Sequence, residues 1–192
     1  MSTDRPAAQA AEEVAEEVAA LVARAEPRLG AGHLVCVDGP AGSGKTTLAA
    51  ALESAYGWPV VHMDDLFAGW SGLPEVDQQA WQDLLRPLSR GRAGRYRRFD
   101  WHRDAYAEEH EVPALAPGEV LVLEGVGAGS APWAEVTSVL VWVEADRDVR
   151  LRRGLERDGD AFAPHWEAWA RAEAKHFAAH GTRARADLVW RT

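Results

Sequence analysis

Residues 39–46 read Gly-Pro-Ala-Gly-Ser-Gly-Lys-Thr, and no other stretch of the chain narrows its fold as far. The spacing G-x-x-x-x-G-K-[ST] is met in full. The apolar run HLVCVD precedes it and the helix-favouring segment KTTLAAALESAY follows, which is the strand–turn–helix setting a phosphate-binding loop requires. Glycines let such a loop curl until successive backbone N–H groups converge on phosphate oxygens. Gly39, Ala41, Gly42, Ser43 and Gly44 supply that cradle, and the helix starting near Gly44 adds its positive dipole end. Lys45 is expected on the β- and γ-phosphates, the Thr46 hydroxyl on Mg²⁺, and Thr47 as a further phosphate contact. Lys45 and Lys175 are the only lysines among 21 basic residues, so a lysine at this position is hard to produce by chance.

A strand feeding a phosphate loop and helix implies an α/β sheet, and the remaining pattern agrees. Apolar runs at 33–38, 59–63, 120–124, 138–144 and 187–190 alternate with helix-favouring stretches at 45–56, 75–89, 147–158 and 164–180. Strands with little polar alternation are buried on both faces, as in a parallel sheet covered by helices. The expected architecture is a three-layer α/β/α domain with a five-stranded parallel sheet and a helical lid. Residues 7–25 carry a narrow apolar stripe (Val14, Val18, Leu21, Val22). Residues 1–30 are therefore read as an N-terminal helix packed on a domain spanning 31–192. An arginine-rich loop is expected after residue 89.

Composition excludes several classes. At 192 residues with a net charge of −9, the chain suits one domain and would repel nucleic-acid phosphates. Cys36 is the sole cysteine; no intramolecular disulfide can form, and its place in an apolar run suggests core packing. No apolar stretch reaches the roughly 18 residues a membrane-spanning helix needs, and the start has no secretory signal pattern. Membrane attachment is not expected, and the cytoplasm is the expected location. The chain contains no asparagine, so the N-K-x-D guanine-recognition motif of GTPases is absent.

Four segments beyond the phosphate loop resemble the uridine kinase-like P-loop kinases, in the family's order. VVHMDDLF at 60–67 is similar to the second strand of those enzymes, which delivers an aspartate followed by an aromatic pair. VLVLEG at 120–125 is similar to their apolar strand ending in Glu-Gly. RLRRGLERD at 150–158 resembles their lid helix, with Gly154 departing from the pattern. RYRRFDW at 95–101 is similar in place to their substrate loop. The resemblance implies an ATP-dependent phosphotransferase acting on a hydroxyl of a small metabolite, with ATP and Mg²⁺ bound. Phe99 stands where the family has a tyrosine, which leaves the acceptor open between a nucleoside and another metabolite.

Within that reading, adjacent acids at the carboxyl end of a buried strand lie where α/β sheets bind ligands. Asp64 is assigned as the general base, with Asp65 orienting substrate or metal-bound water; which of the two is the base stays open. Glu124 is placed near Mg²⁺ with Thr46, and Asp38 is either close to the metal or structural. Arg150, Arg153 and Arg157 share one helix face: Arg150 is expected on the nucleotide, Arg153 and Arg157 on the transferring phosphoryl group. Phe67, Arg95, Phe99 and Asp100 are expected at the substrate, where the arginine cluster would suit an acidic or phosphorylated acceptor. Trp166, Trp169, His165 and His176 are read as core packing, because no acidic or cysteine partner completes a metal-ligand spacing. A nucleotide or sugar-acid kinase, and a nucleotide-dependent switch or chaperone without a small-molecule substrate, are the alternatives. The N-terminal helix offers a contact for a homodimer.

Overall fold

Five short runs of aliphatic residues pair into one parallel sheet in the computed structural model, which describes residues 4–159 and 163–192. Among the described residues the strands in chain order are β1 (His33–Asp38), β2 (Val60–His62), β3 (Gly94–Asp100), β4 (Ala105–Val112), β5 (Val120–Glu124), β6 (Val139–Glu144) and β7 (Leu188–Arg191). The parallel sheet has the order β2-β5-β1-β6-β7. In the central strand, Val35 lies level with Val122 on one side and Val139 on the other. The helices are α1 (Asp4–Val22), α2 (Lys45–Tyr56), α3 (Leu73–Gln79), α4 (Arg86–Ser89), α5 (Arg147–Asp158), α6 (Trp166–His180) and α7 (Thr182–Arg185).

Strand periodicity sorts the core into two layers. Val35 and Val37 of β1 face a cluster with Ala15, Val18 and Val22 of α1 and Leu48, Ala49 and Leu52 of α2. Leu34 and Cys36 face the other way, onto Met63, Phe67, Leu84, Trp133 and Trp169. Full burial of each large aliphatic or aromatic side chain stabilises the fold by about 1.5–3 kcal/mol. The stripe on α1 is thus satisfied within the chain.

Two expectations need correction. The single helix predicted at 75–89 starts at Leu73 and widens into a π-helical stretch, Ala80–Leu85, before α4. Pro87 has no N–H for the Asp83 carbonyl and its ring crowds that group, which favours the wider turn. The arginine-rich loop is an antiparallel hairpin, β3 with β4, outside the main sheet.

Candidate active site

Asp38 closes β1 and fixes the phosphate loop from beneath. Fully buried, its carboxylate accepts N–H bonds from Gly39 at 2.7 Å, Gly127 at 2.9 Å and Gly129 at 2.8 Å. Burial outweighs these three bonds and pushes its pKa up to about 6. With both oxygens occupied, Asp38 takes the structural of its two expected roles: it ties the loop after β1 to the loop after β5. The glycines follow from close approach. At Gly39 (φ 145°) a Cβ would collide with the Val143 carbonyl oxygen. At Gly42 (φ 76°) it would meet the Arg150 carbonyl oxygen at 2.5 Å.

The cradle itself suits an anion. Gly44 caps α2 in the left-handed region with no side chain closing the helix end, so the first-turn N–H groups point into the loop. The Ser43 hydroxyl is buried without a hydrogen-bond partner. Lys45, only 7 % exposed, curls back to donate to the Pro40 carbonyl at 3.1 Å. Thr46 Oγ1 donates to Glu124 Oε1 at 3.2 Å. A hydroxyl and a carboxylate side by side are hard oxygen donors of the kind Mg²⁺ takes, so the residues present fit that ion.

A histidine that the sequence reading passed over completes this edge. His62 lies level with Glu124 across the β2–β5 pairing, and its Nδ1 sits 2.7 Å from Glu124 Oε2. That bond, against partial burial, raises the His62 pKa. Asp64 and Asp65 follow in the 3₁₀ turn Met63–Asp65. Asp64 keeps solvent access, yet enough protein crowds its carboxyl for desolvation to raise the pKa. Glu124 raises it further, while Lys45, Arg157 and His62 pull it down. Asp65 is half-buried and also raised, chiefly by desolvation, with His62 and Arg98 opposing.

The three lid arginines divide. Arg150 donates to the Ala41 carbonyl and to Glu173 Oε1, both at 3.1 Å, and lies over the Trp166 ring. Glu173, 2 % exposed, returns Oε2 to the Ala41 N–H at 2.9 Å. Arg153 donates to Thr192 Oγ1 at 2.7 Å and to the Gly42 carbonyl at 3.4 Å. Arg150 and Arg153 therefore brace the loop through its carbonyls. Arg157 is the arginine whose charge reaches Asp64. Glu173 was not visible in advance, since nothing in its helical context marks it as a loop anchor.

The expected substrate residues fare unevenly. Phe67 is 1 % exposed and packs edge-on against Trp169; its role is in the core, a correction to its expected place at the substrate. Arg95 pairs with Glu111 at 2.8 Å, and Arg98 with Glu108 at 2.6 Å. Two of the three arginines of β3 are thus answered by glutamates of β4, while Arg97 donates to the Tyr106 and Ala107 carbonyls, so the expected anion-binding cluster is engaged within the hairpin. Asp100 Oδ1 accepts the His102 and Arg103 N–H groups at 3.0 and 3.1 Å, closing the hairpin turn. Phe99 contacts Trp101 and Tyr106 edge-on. Trp101 reaches back, its Nε1 donating to the Asp64 carbonyl at 2.9 Å, and meets Trp70, which stacks on His165. An aromatic wall, held by the hairpin, borders the Asp64 turn.

A phosphate cradle on the central strand of this sheet order, opposed by an acidic turn and an arginine helix, defines a P-loop kinase. Comparison with known proteins agrees. The AAA domain family matches residues 35–162. A cytidylate kinase of Acidiphilium cryptum is 30 % identical over 175 residues, 81 % of this chain and 82 % of that protein. The structure of a possible uridine kinase from Bacillus stearothermophilus superposes with a TM-score of 0.63 at 21 % identity, covering 93 % of this chain and 99 % of that one. A proposed fructose transport system kinase from Silicibacter sp. gives 0.62 at 28 % identity, covering 94 % and 98 %. The chain belongs to the AAA domain family of P-loop proteins and is a kinase. No helix among the described residues is long and apolar enough to cross a membrane.

Proposed function

We propose that the protein transfers the γ-phosphoryl group of MgATP to a hydroxyl of a small, uncharged metabolite, with Asp64 receiving the hydroxyl proton. The observation that carries this reading is the setting of Asp64, within the fields of Lys45 and Arg157 on one side and beside the Trp101 wall on the other. In-line transfer requires the acceptor hydroxyl to lie between that carboxylate and the cradle. The raised pKa, set chiefly by desolvation, strengthens Asp64 as a proton acceptor. Lys45 and Arg157 offer charge to the transferring phosphoryl oxygens. Thr46 and Glu124 would hold Mg²⁺, which when bound neutralises phosphate charge. An uncharged acceptor is favoured because Arg95 and Arg98 are paired with Glu111 and Glu108 and Arg97 is held by hairpin carbonyls.

The test is ADP release from MgATP against nucleosides, sugars, polyols, sugar acids and nucleoside monophosphates. An uncharged acceptor should stimulate the wild type and not Asp64→Asn, which should still bind MgATP within about threefold. Retained turnover in Asp64→Asn would remove the base assignment. Preference for a monophosphate, as the curated relatives' name suggests, would overturn the uncharged acceptor.

A further inference from the structure

Away from the phosphate cradle, two helices bring together three side chains whose chemistry the kinase reaction does not use. His176 and His180 are four residues apart on α6, hence on one face. Asp77 of α3 lies opposite. One ligand-type atom from each of the three falls within 4.8 Å of the other two. His180 Nε2 is 3.1 Å from Asp77 Oδ2, and the two histidine rings are 4.3 Å apart between centroids. Asp77 Oδ1 is buried and has no hydrogen-bond partner.

We propose that Asp77, His176 and His180 form a zinc-type metal site that staples α3 to α6. Two imidazoles and one carboxylate, with the fourth position left to water, are a donor set that Zn²⁺ takes tetrahedrally. Mg²⁺ and Ca²⁺, which prefer all-oxygen surroundings, are disfavoured there. The atoms need to close by little more than an ångström to meet bond lengths of about 2.0–2.2 Å, and the orphaned Asp77 oxygen gains the partner it lacks.

Two existing contacts oppose the ion. The Ala131 N–H donates to His180 Nδ1 at 3.1 Å, which places the imidazole proton on Nε2, toward Asp77. Metal at Nε2 moves that proton to Nδ1 and turns the Ala131 amide to water. Ala131 is exposed, so water can take its place. The bond between His176 Nε2 and the Ser130 hydroxyl at 2.8 Å must also yield if that nitrogen becomes the ligand. These losses set the affinity in the micromolar range, below that of a closed structural zinc site.

Metal-stripped full-length protein is titrated with Zn²⁺ in competition with a chromophoric chelator, with Mg²⁺ in large excess to occupy the Thr46–Glu124 oxygens. Co²⁺ is added in parallel to read coordination from its visible spectrum. One Zn²⁺ per chain at a Kd of about 10 μM or tighter, a tetrahedral Co²⁺ spectrum and a Zn²⁺-dependent rise in melting temperature are expected. Asp77→Asn and His180→Gln should each weaken binding at least about tenfold, whereas His165→Gln, on the same helix's approach but outside the triad, should not. Metal-free circular dichroism checks that each variant is folded, and an unfolded one is replaced by the double variant His176→Gln/His180→Gln. Absence of binding by the wild type at about 100 μM overturns the site whatever the variants do. Binding that survives the triad substitutions assigns the ion to other histidines and overturns it equally.

Discussion

At the scale of single residues, Asp38 shows how a buried charge is tolerated for the sake of a loop. Three backbone N–H groups hold it, yet its carboxyl binds a proton near pH 6 in the fold and near 4 in an unfolded chain. Between those values the native state carries the extra proton, so this group's contribution makes stability fall as pH rises through the window. Asp38→Asn should abolish that slope, seen by comparing melting temperatures at about pH 4.5 and pH 6.5. It should also lower stability by about 1–3 kcal/mol, since an amide nitrogen faces at least one N–H with no acceptor. A variant as stable as wild type, with the slope unchanged, would remove Asp38 as the anchor. The residue was legible as one of two things; only the positions of Gly127 and Gly129, far along the chain, decide between them.

At the scale of elements, the hairpin is where sequence reading ran out. Continuous apolar runs such as VLVLE and VLVWVE betray buried parallel strands directly. RYRRFD and AYAEEHEV carry charge on both faces, and a register shift between Arg97 and Phe99 breaks the two-residue alternation that marks a strand, although Gly94, Tyr96, Phe99 and Val112 pack inward. The hairpin's charges then answer one another across the ladder, each exposed pair worth under about 1 kcal/mol. Their larger effect is on selectivity. Glu108→Gln leaves Arg98 without its partner beside Asp65. It should shift kcat/KM toward anionic acceptors by about tenfold with little change in melting temperature. Unchanged selectivity would mean that β3 does not face the acceptor. The triad of the proposed metal site was hidden for a related reason. H-x-x-x-H was present at 176–180, but its carboxylate lies about a hundred residues earlier, and no local pattern joins them.

On the scale of the whole molecule, the phosphate loop is held from outside by parts of the chain far from it in sequence. Ala41 is gripped by Glu173 and Arg150, Gly42 by Arg153, and Ser43 by the Thr192 hydroxyl at 2.9 Å. The lid helix α5, α6 and the end of β7 thus meet at one loop. Glu173→Gln replaces one carboxylate oxygen with a donor, so either the Ala41 N–H or Arg150 loses its acceptor. MgATP binding should weaken about tenfold, measured by calorimetry, with Asp64-dependent chemistry intact at saturation. Affinity equal to wild type would show that the loop holds its shape unaided. The sheet, the cradle and the acidic turn could be read in advance because each is written in adjacent residues. The bracing could not, since it joins side chains to carbonyls more than a hundred positions away.

The place of β1 at the centre of the sheet has a consequence in time. Its neighbours on either side, β5 and β6, begin about ninety residues or more further along. At the usual pace of synthesis, roughly 5–20 residues per second, the segment HLVCVD leaves the ribosome several seconds before either partner exists. Through that interval the central strand of the molecule has both edges open, with α1 and α2 available to cover one face and the segment 63–88 to cover the other as it emerges. Slowing elongation beyond residue 56 would lengthen its exposure, and a chaperone that shields short aliphatic stretches would find its target there first.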